Sequence, residues 1–318
     1  MKDLWPIVVS VLGVFLVMLI GGVCRRRNWI TRESDHSLAS LIANVLLPAY
    51  FVSRILAGPQ FESMSSAWQP PLFGFLMTSL GFGIGFLFAT KLGSSVGLKS
   101  ESQQRAFALC VGICNYGYVP LPLAETFYPD AVVPLILHNV GVDLALWSVG
   151  VAIISSERSR GWLRLFLSPP LIAVVAAVCL KSTIDTNQIP RQLMFVFETL
   201  GNCAIPLGLL LSGAIMMDLI ADSSWLRSPA IHFSAIVIRQ LLMPLLMIGT
   251  ALLVSFGNSM NDVVLLQAAM PAAVFPIVLV RMYSRDTTTA IQVIVSTSIA
   301  GLILIPIWLF IGKLIFSS

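Results

Sequence analysis

The chain has 318 residues, 57% of them hydrophobic and only 11% charged, with a formal net charge of +4. An ordinary soluble domain is about 25% charged, so a chain this apolar would present unsustainable patches to water and takes lipid as its solvent. The small positive balance does not argue for a nucleic-acid partner, because the basic residues fall in short runs between apolar stretches.

From Met1-Lys2-Asp3-Leu4-Trp5-Pro6 the chain enters an apolar stretch long enough to cross a bilayer, closed by Cys24-Arg25-Arg26-Arg27. A cleavable signal has a shorter core and a small-residue cleavage site, so this reads as a retained helix. Ten spans follow in order: 4–23, 37–57, 70–91, 104–125, 131–154, 166–182, 191–217, 229–256, 261–282 and 288–315. Each must close its own backbone hydrogen bonds, which makes the class all-α. The loops between them leave no room for a nucleotide-binding module.

Lys and Arg set the orientation. The odd-numbered loops carry Arg25, Arg26, Arg27 and Arg32, then Lys91, Lys99 and Arg105, then Arg158, Arg160 and Arg164, then Arg227, then Arg281 and Arg285. The even loops and the two ends hold Lys2, Lys181, Arg191 and Lys313. The odd loops are therefore expected in the cytoplasm, with both termini outside.

The two halves nearly repeat each other. Asn44-Val-Leu-Leu-Pro48 in span two has a counterpart in Asn202-Cys-Ala-Ile-Pro206 of span seven. Asn115-Tyr-Gly-Tyr-Val-Pro120 in span four is matched, at almost the same interval, by Pro271-Ala-Ala-Val-Phe-Pro276 in span nine. Five spans per half is an odd number, so the second half is expected upside down relative to the first. The division is 1–154 for the first repeat, 155–165 for a basic cytoplasmic connector and 166–318 for the second repeat.

Pro120 lacks an N–H and Gly117 weakens the same turn, so span four is expected to break there and free backbone groups at mid-membrane depth. Pro271 and Pro276 repeat the device in span nine. If the two breaks cross, two helix N-termini converge and favour an anionic ligand. A pair of plain kinks is the bland alternative, which two breaks at matching positions disfavour. Asn115, Tyr116, Gly117, Pro120, Pro271 and Pro276 are the resulting candidate binding residues, with Gln267 four residues before Pro271 as a further one. Asn44 and Asn202 join them as neighbours of the crossing. Their bland reading is a local repair of the carbonyl freed by each proline.

Span five carries His138, Asn139 and Asp143, the last two sharing a helix face. A carboxylate within the membrane is a functional candidate, here for coupling to an ion gradient. A static pair with Arg239 of span eight is the competing reading, and register alone does not choose between them. Arg54, Glu198, Asp218 and Arg281 lie near span ends, where snorkelling or capping accounts for them. Cys110 and Cys114 stand four apart on one helix face, and two thiols alone make a poor metal site. No paired catalytic Asp, His-Glu-x-x-His or activated nucleophile motif is present, so an intramembrane enzyme is not expected.

Ser168-Pro-Pro-Leu-Ile-Ala173, Gly201-Asn-Cys-Ala-Ile-Pro-Leu-Gly-Leu-Leu-Leu-Ser-Gly213 and Asn44-Val-Leu-Leu-Pro-Ala49 are similar to signatures of the auxin efflux carrier family. Ser168 stands where that family's pattern has Asn. The resemblance spans the chain and implies ten helices in two inverted five-helix repeats, with broken crossover helices four and nine, as in sodium–bile acid symporters. It also implies a scaffold part, a moving transport part and a homodimer. Substrates would be small organic anions, such as dicarboxylates or auxin-like carboxylates. Asn115 matches the family's polar crossover position, and Asn139 falls near a polar fifth-helix position facing substrate. The plant carriers' long loop after helix five is absent, which fits a compact prokaryotic member in the bacterial inner membrane.

The expectation is a secondary transporter of a small organic anion, working by alternating access with an elevator-like motion. It would have no cofactor beyond a coupling H+ or Na+, with membrane lipid as its surroundings. A membrane sensor or channel module that binds ligand without coupled turnover is the alternative.

Overall fold

A computed structural model describes residues 4–58, 67–155, 168–183, 189–221, 226 and 228–316. Residues 156–165 of the expected connector, with Arg158, Arg160 and Arg164, lie outside these, as do Lys2 and Arg227. Seven described helices are long and apolar enough to cross a bilayer. They are α1 (Leu4–Arg26), α2 (Ser34–Ala57), α3 (Gln69–Lys91), α6 (Pro129–Ile154), α8 (Arg191–Ala221), α9 (Pro229–Val254) and α12 (Thr287–Phe316). α7 (Pro169–Thr183) is apolar but shorter. The remaining passes are interrupted: α4 (Glu101–Gly112) is followed by α5 (Pro120–Phe127), and α10 (Asn258–Ala269) by α11 (Pro276–Met282).

Both interruptions have a local cause. Pro120 and Pro276 each sit at the first position of the helix that follows, where a missing N–H costs nothing. Met270 precedes Pro271 and is extended at φ −76 and ψ 141, the conformation a following proline imposes. The first break does not open at Pro120, as the sequence suggested. α4 ends at Gly112, and Ile113 is already extended. Cys114 therefore lies beyond the helix and does not share a helix face with Cys110, contrary to the sequence reading.

Three unbroken helices also depart from regular winding. π-Helical turns occupy Ile42–Leu46 in α2, Leu146–Gly150 in α6 and Ile238–Leu242 in α9. Two of them lie just ahead of Pro48 and Pro244, so the wider turn absorbs the hydrogen bond the proline cannot make. Asn44 donates from Nδ2 to Ser40 Oγ at 2.9 Å. The side chain thus bonds a hydroxyl one turn back, and among the described residues no bond from it to a carbonyl freed by Pro48 accompanies the π turn.

The helices sort into two packed groups. α1 packs on α8, α8 on α2 and α2 on α7, while α3 packs on α4 and α6, with α9, α10 and α12 joined to the second group and α12 also packed against α1. Small residues permit these approaches, since packing between helices in lipid depends on close backbone contact. A Cβ at Gly213 of α8 would collide with the Met18 carbonyl of α1, and one at Gly141 of α6 with the Pro71 carbonyl of α3. Gly83, by contrast, has open space around it on α3. Gly141→Val is expected to abolish the monodisperse, thermally cooperative protein in detergent. Gly83→Ala leaves the melting temperature unchanged or slightly higher, because alanine costs a helix about 0.5–1 kcal/mol less than glycine.

Candidate functional site

The two extended breaks lie side by side. Asn115 N donates to Pro271 O at 2.7 Å and Ala273 N to Ile113 O at 3.1 Å, an antiparallel bridge that pairs Cys114 with Ala272. Several backbone groups around this bridge are met by other parts of the chain. Ala272 N donates to Thr297 Oγ1 of α12 at 3.2 Å, and Tyr116 O accepts from Gln267 Nε2 at 3.2 Å. Met270 O accepts from Arg239 Nε at 3.2 Å, and Gly117 O from Leu121 N at 3.1 Å. Such accounting is obligatory where water cannot reach, because each unmet buried group costs about 1–3 kcal/mol.

Gln267 is the hub of this arrangement and is fully buried. Besides Tyr116 O, its Nε2 reaches Asn139 Oδ1 at 3.4 Å, and its Oε1 accepts from Cys114 Sγ at 3.0 Å. One amide thus ties both breaks to α6. Asp143, a turn further along α6, accepts from the Tyr116 hydroxyl at 2.6 Å. The carboxylate is not paired with Arg239, so the static ion pair weighed from the sequence is not formed.

A cavity of about 340 Å³ opens beside the bridge. From the second helix group it takes Asn115, Tyr116, Gly117 and Tyr118 of the first break, Asn139, Asp143 and Trp147 of α6, and Ala273–Phe275 of the second break. From the first group come Asn44, Leu47 and Phe51 of α2, Ser168 to Leu171 at the start of α7, and Ser212 of α8. The cavity therefore lies between the two packed groups. Its walls are mainly apolar with a few convergent polar groups, the usual make-up of a small-molecule site. Trp147 and Phe275, both in the lining, meet edge to face with ring centroids 6.4 Å apart.

The candidate residues divide accordingly. Asn44, Asn115, Tyr116, Gly117, Asn139 and Asp143 line the cavity. Asn115 makes no side-chain hydrogen bond to another described residue, and a Cβ on Gly117 would meet nothing within 4 Å, so both lie open to a guest. Gln267, Pro120, Pro271 and Pro276 are not part of the lining; they shape the backbone behind it. Asn202 is elsewhere. His138 points away, buried against the Phe73 ring at 6.2 Å.

Asn202 belongs to a second cavity of about 320 Å³ between α1, α2, α5 and α8. There its Oδ1 accepts from Arg54 Nη2 at 3.4 Å, while Arg54 pairs with Glu125 at 2.6 Å and Tyr50 donates to Glu125 at 2.9 Å. Arg54 is thus an inter-helix tie rather than a snorkelling side chain. Asp218 similarly bridges Arg25 and Arg32, each at 3.3 Å. Sequence reasoning missed Glu125 altogether. The available signal was an acid and a base near the ends of spans two and four, whose ends share one side of the membrane.

Chain and site together describe an integral membrane protein with a solute-sized cavity at interrupted helices. The family model described as membrane transport protein matches residues 6–161 and 158–309. The chain belongs to this transporter family, that of the auxin efflux and bile acid-like carriers, which is not an enzyme family. It is also similar to a protein of Methanothermobacter thermautotrophicus described as an uncharacterized transporter, 22% identical over 308 residues, covering 94% of this chain and 96% of that protein.

Thr297→Val keeps the shape of the side chain but deprives the Ala272 N–H of its acceptor. It is expected to destabilise the protein by about 1–3 kcal/mol, read as a lower unfolding midpoint in detergent.

Proposed function

We propose that this protein is a secondary transporter of a small organic anion with an apolar body, working by alternating access. The observation that carries the reading is the cavity beside the paired breaks, lined by residues of both helix groups. A carrier needs its site at a seam that can slide while the bound molecule stays with one side, and broken helices at the seam supply polar backbone there.

In this reading α1, α2, α7 and α8 form the scaffold, and the remaining helices move as the transport unit in an elevator-like stroke. The repeats 1–154 and 166–318 are inverted, with 155–165 cytoplasmic and both termini outside a bacterial inner membrane. The interrupted passes are the crossover helices four and nine. Asn115 and Asn139 donate to the substrate carboxylate, and Gly117 leaves the space it needs. Trp147, Phe51 and Phe275 hold the apolar body, which favours an aryl or alkyl carboxylate over a bare dicarboxylate of similar length. Asp143, already engaged by Tyr116, is the proton-carrying candidate. Scaffold helices of two copies pair as a homodimer.

Uptake of labelled indole acetate, phenylacetate, malate and malonate into proteoliposomes tests the reading. Saturable flux of at least one acid, with aryl acetates preferred, is expected, and Asn115→Ala lowers it about tenfold or more. Gly117→Leu fills the cavity and abolishes flux while leaving the melting temperature close to that of the parent. Binding with no counterflow exchange would instead identify a sensor. Full flux in both variants would remove the site.

A further inference from the structure

Arg239 is an unusual side chain for its surroundings. It sits in the π turn of α9, is 2% exposed, and no described carboxylate lies within ion-pair distance of it. A guanidinium so deeply buried is costly unless something negative or strongly polar receives it. Its partners are backbone carbonyls at one place: Met270 O at 3.2 Å from Nε and Gln267 O at 3.5 Å from Nη2. These carbonyls belong to the C-terminal end of α10 and the first residue of the second break, at the negative end of the helix dipole, and Gln267 O also accepts from Met270 N at 3.3 Å.

Unwound carbonyls and half-helix C-termini are the groups with which many secondary transporters hold a coupling Na+. Here a guanidinium of the protein itself bonds carbonyls of that kind. The cavity on the other face of the bridge has no basic residue in its lining, and its one acid is Asp143.

We propose that Arg239 is a tethered cation that takes the seat a coupling Na+ would otherwise occupy, supplying the charge that balances an anionic substrate and making transport independent of sodium. The inference rests on the carrier reading for its consequence in flux, and on Arg239 alone for its consequence in ion binding. A planar fork suits two diverging carbonyls and remains charged at every working pH, which an ammonium deep in protein does not guarantee. Arg239 acts through the break backbone and is a positioning residue, with no direct contact to substrate required.

The test separates the two layers. Purified protein is melted in detergent in sodium chloride and in choline chloride, because an ion that binds the folded state raises its apparent stability. The parent is expected to melt at the same temperature in both salts, whereas Arg239→Met, with the seat vacated, gains a sodium-specific upward shift. Arg239→Lys, whose amine still fills the seat but can lose its proton there, shows a smaller gain than Arg239→Met. In proteoliposomes, replacing sodium by choline changes the parent's carboxylate flux by less than about twofold, and Arg239→Met lowers it about tenfold.

A sodium-specific stabilisation or a sodium-driven flux in the parent overturns the proposal. So does a folded Arg239→Met protein that stays indifferent to sodium. Should Arg239→Met fail to fold, the parent's response to sodium decides. Absence of flux for every acid would defeat the carrier reading, leaving the melting comparison to judge Arg239.

Discussion

Backbone amides in the middle of a membrane have nowhere to go for hydrogen bonds except to other protein groups. A helix solves this by itself; a break does not. This chain breaks two helices at once and lets each supply what the other lacks, through Asn115 N to Pro271 O and Ala273 N to Ile113 O. Neither interruption is affordable alone, since extended residues facing lipid or apolar side chains would leave several donors and acceptors unmet. The pairing makes their positions interdependent. Around it, Thr297, Gln267 and Arg239 meet three further groups, Ala272 N, Tyr116 O and Met270 O, each from a different helix. The bridge therefore fixes not just two segments but the relative placement of α6, α9, α10 and α12.

Rigidity on one side and openness on the other follow from the same arrangement. Behind the breaks, Gln267 and Thr297 are fully buried and bonded, a packed polar network of the kind that tolerates little change. In front, Asn115 and Gly117 are free of such ties and border a cavity. The π turns add to this asymmetry. Those in α2 and α6 bring Asn44 and Trp147 to the cavity wall, and that in α9 carries Arg239 to the back of the bridge. Local irregularity in this fold is concentrated where a solute would sit, while the regular helices α1 and α3 pack through their glycines.

Much of this was legible in sequence, for a physical reason in each case. The apolar spans declare themselves because lipid tolerates little else, and prolines mark the places where the chain leaves helix. What prolines do not reveal is where a break begins. α4 ends at Gly112, eight residues before Pro120, because Ile113 and Asn115 are drawn into pairing with Ala273 and Pro271, far along the chain. Asn44 and Asn202 illustrate the other limit. They occupy matching motifs, yet Asn44 borders the central cavity and Asn202 faces Arg54 in another. A repeated motif preserves the local helix-plus-proline geometry, but which neighbour it meets depends on the helices packed around it, and those differ between α2 and α8.

The Arg54–Glu125 pair adds a constraint on how such a molecule would move. Glu125 lies on α5, the half-helix that follows the first break, whereas Arg54, Tyr50 and Asn202 lie on α2 and α8. This contact thus joins the two helix groups on the side of the cavity away from Arg25 and Asp218. Displacing α5 relative to α2 requires the ion pair to open, and it is only partly buried, with both side chains about one-third exposed. Pairs so exposed are worth little, about 0–1 kcal/mol, because water and salt compete for both charges. For the alternating access proposed above, a weak tie between the groups could open within a transport cycle, whereas the fully buried network behind the breaks would keep the shape of the site through it.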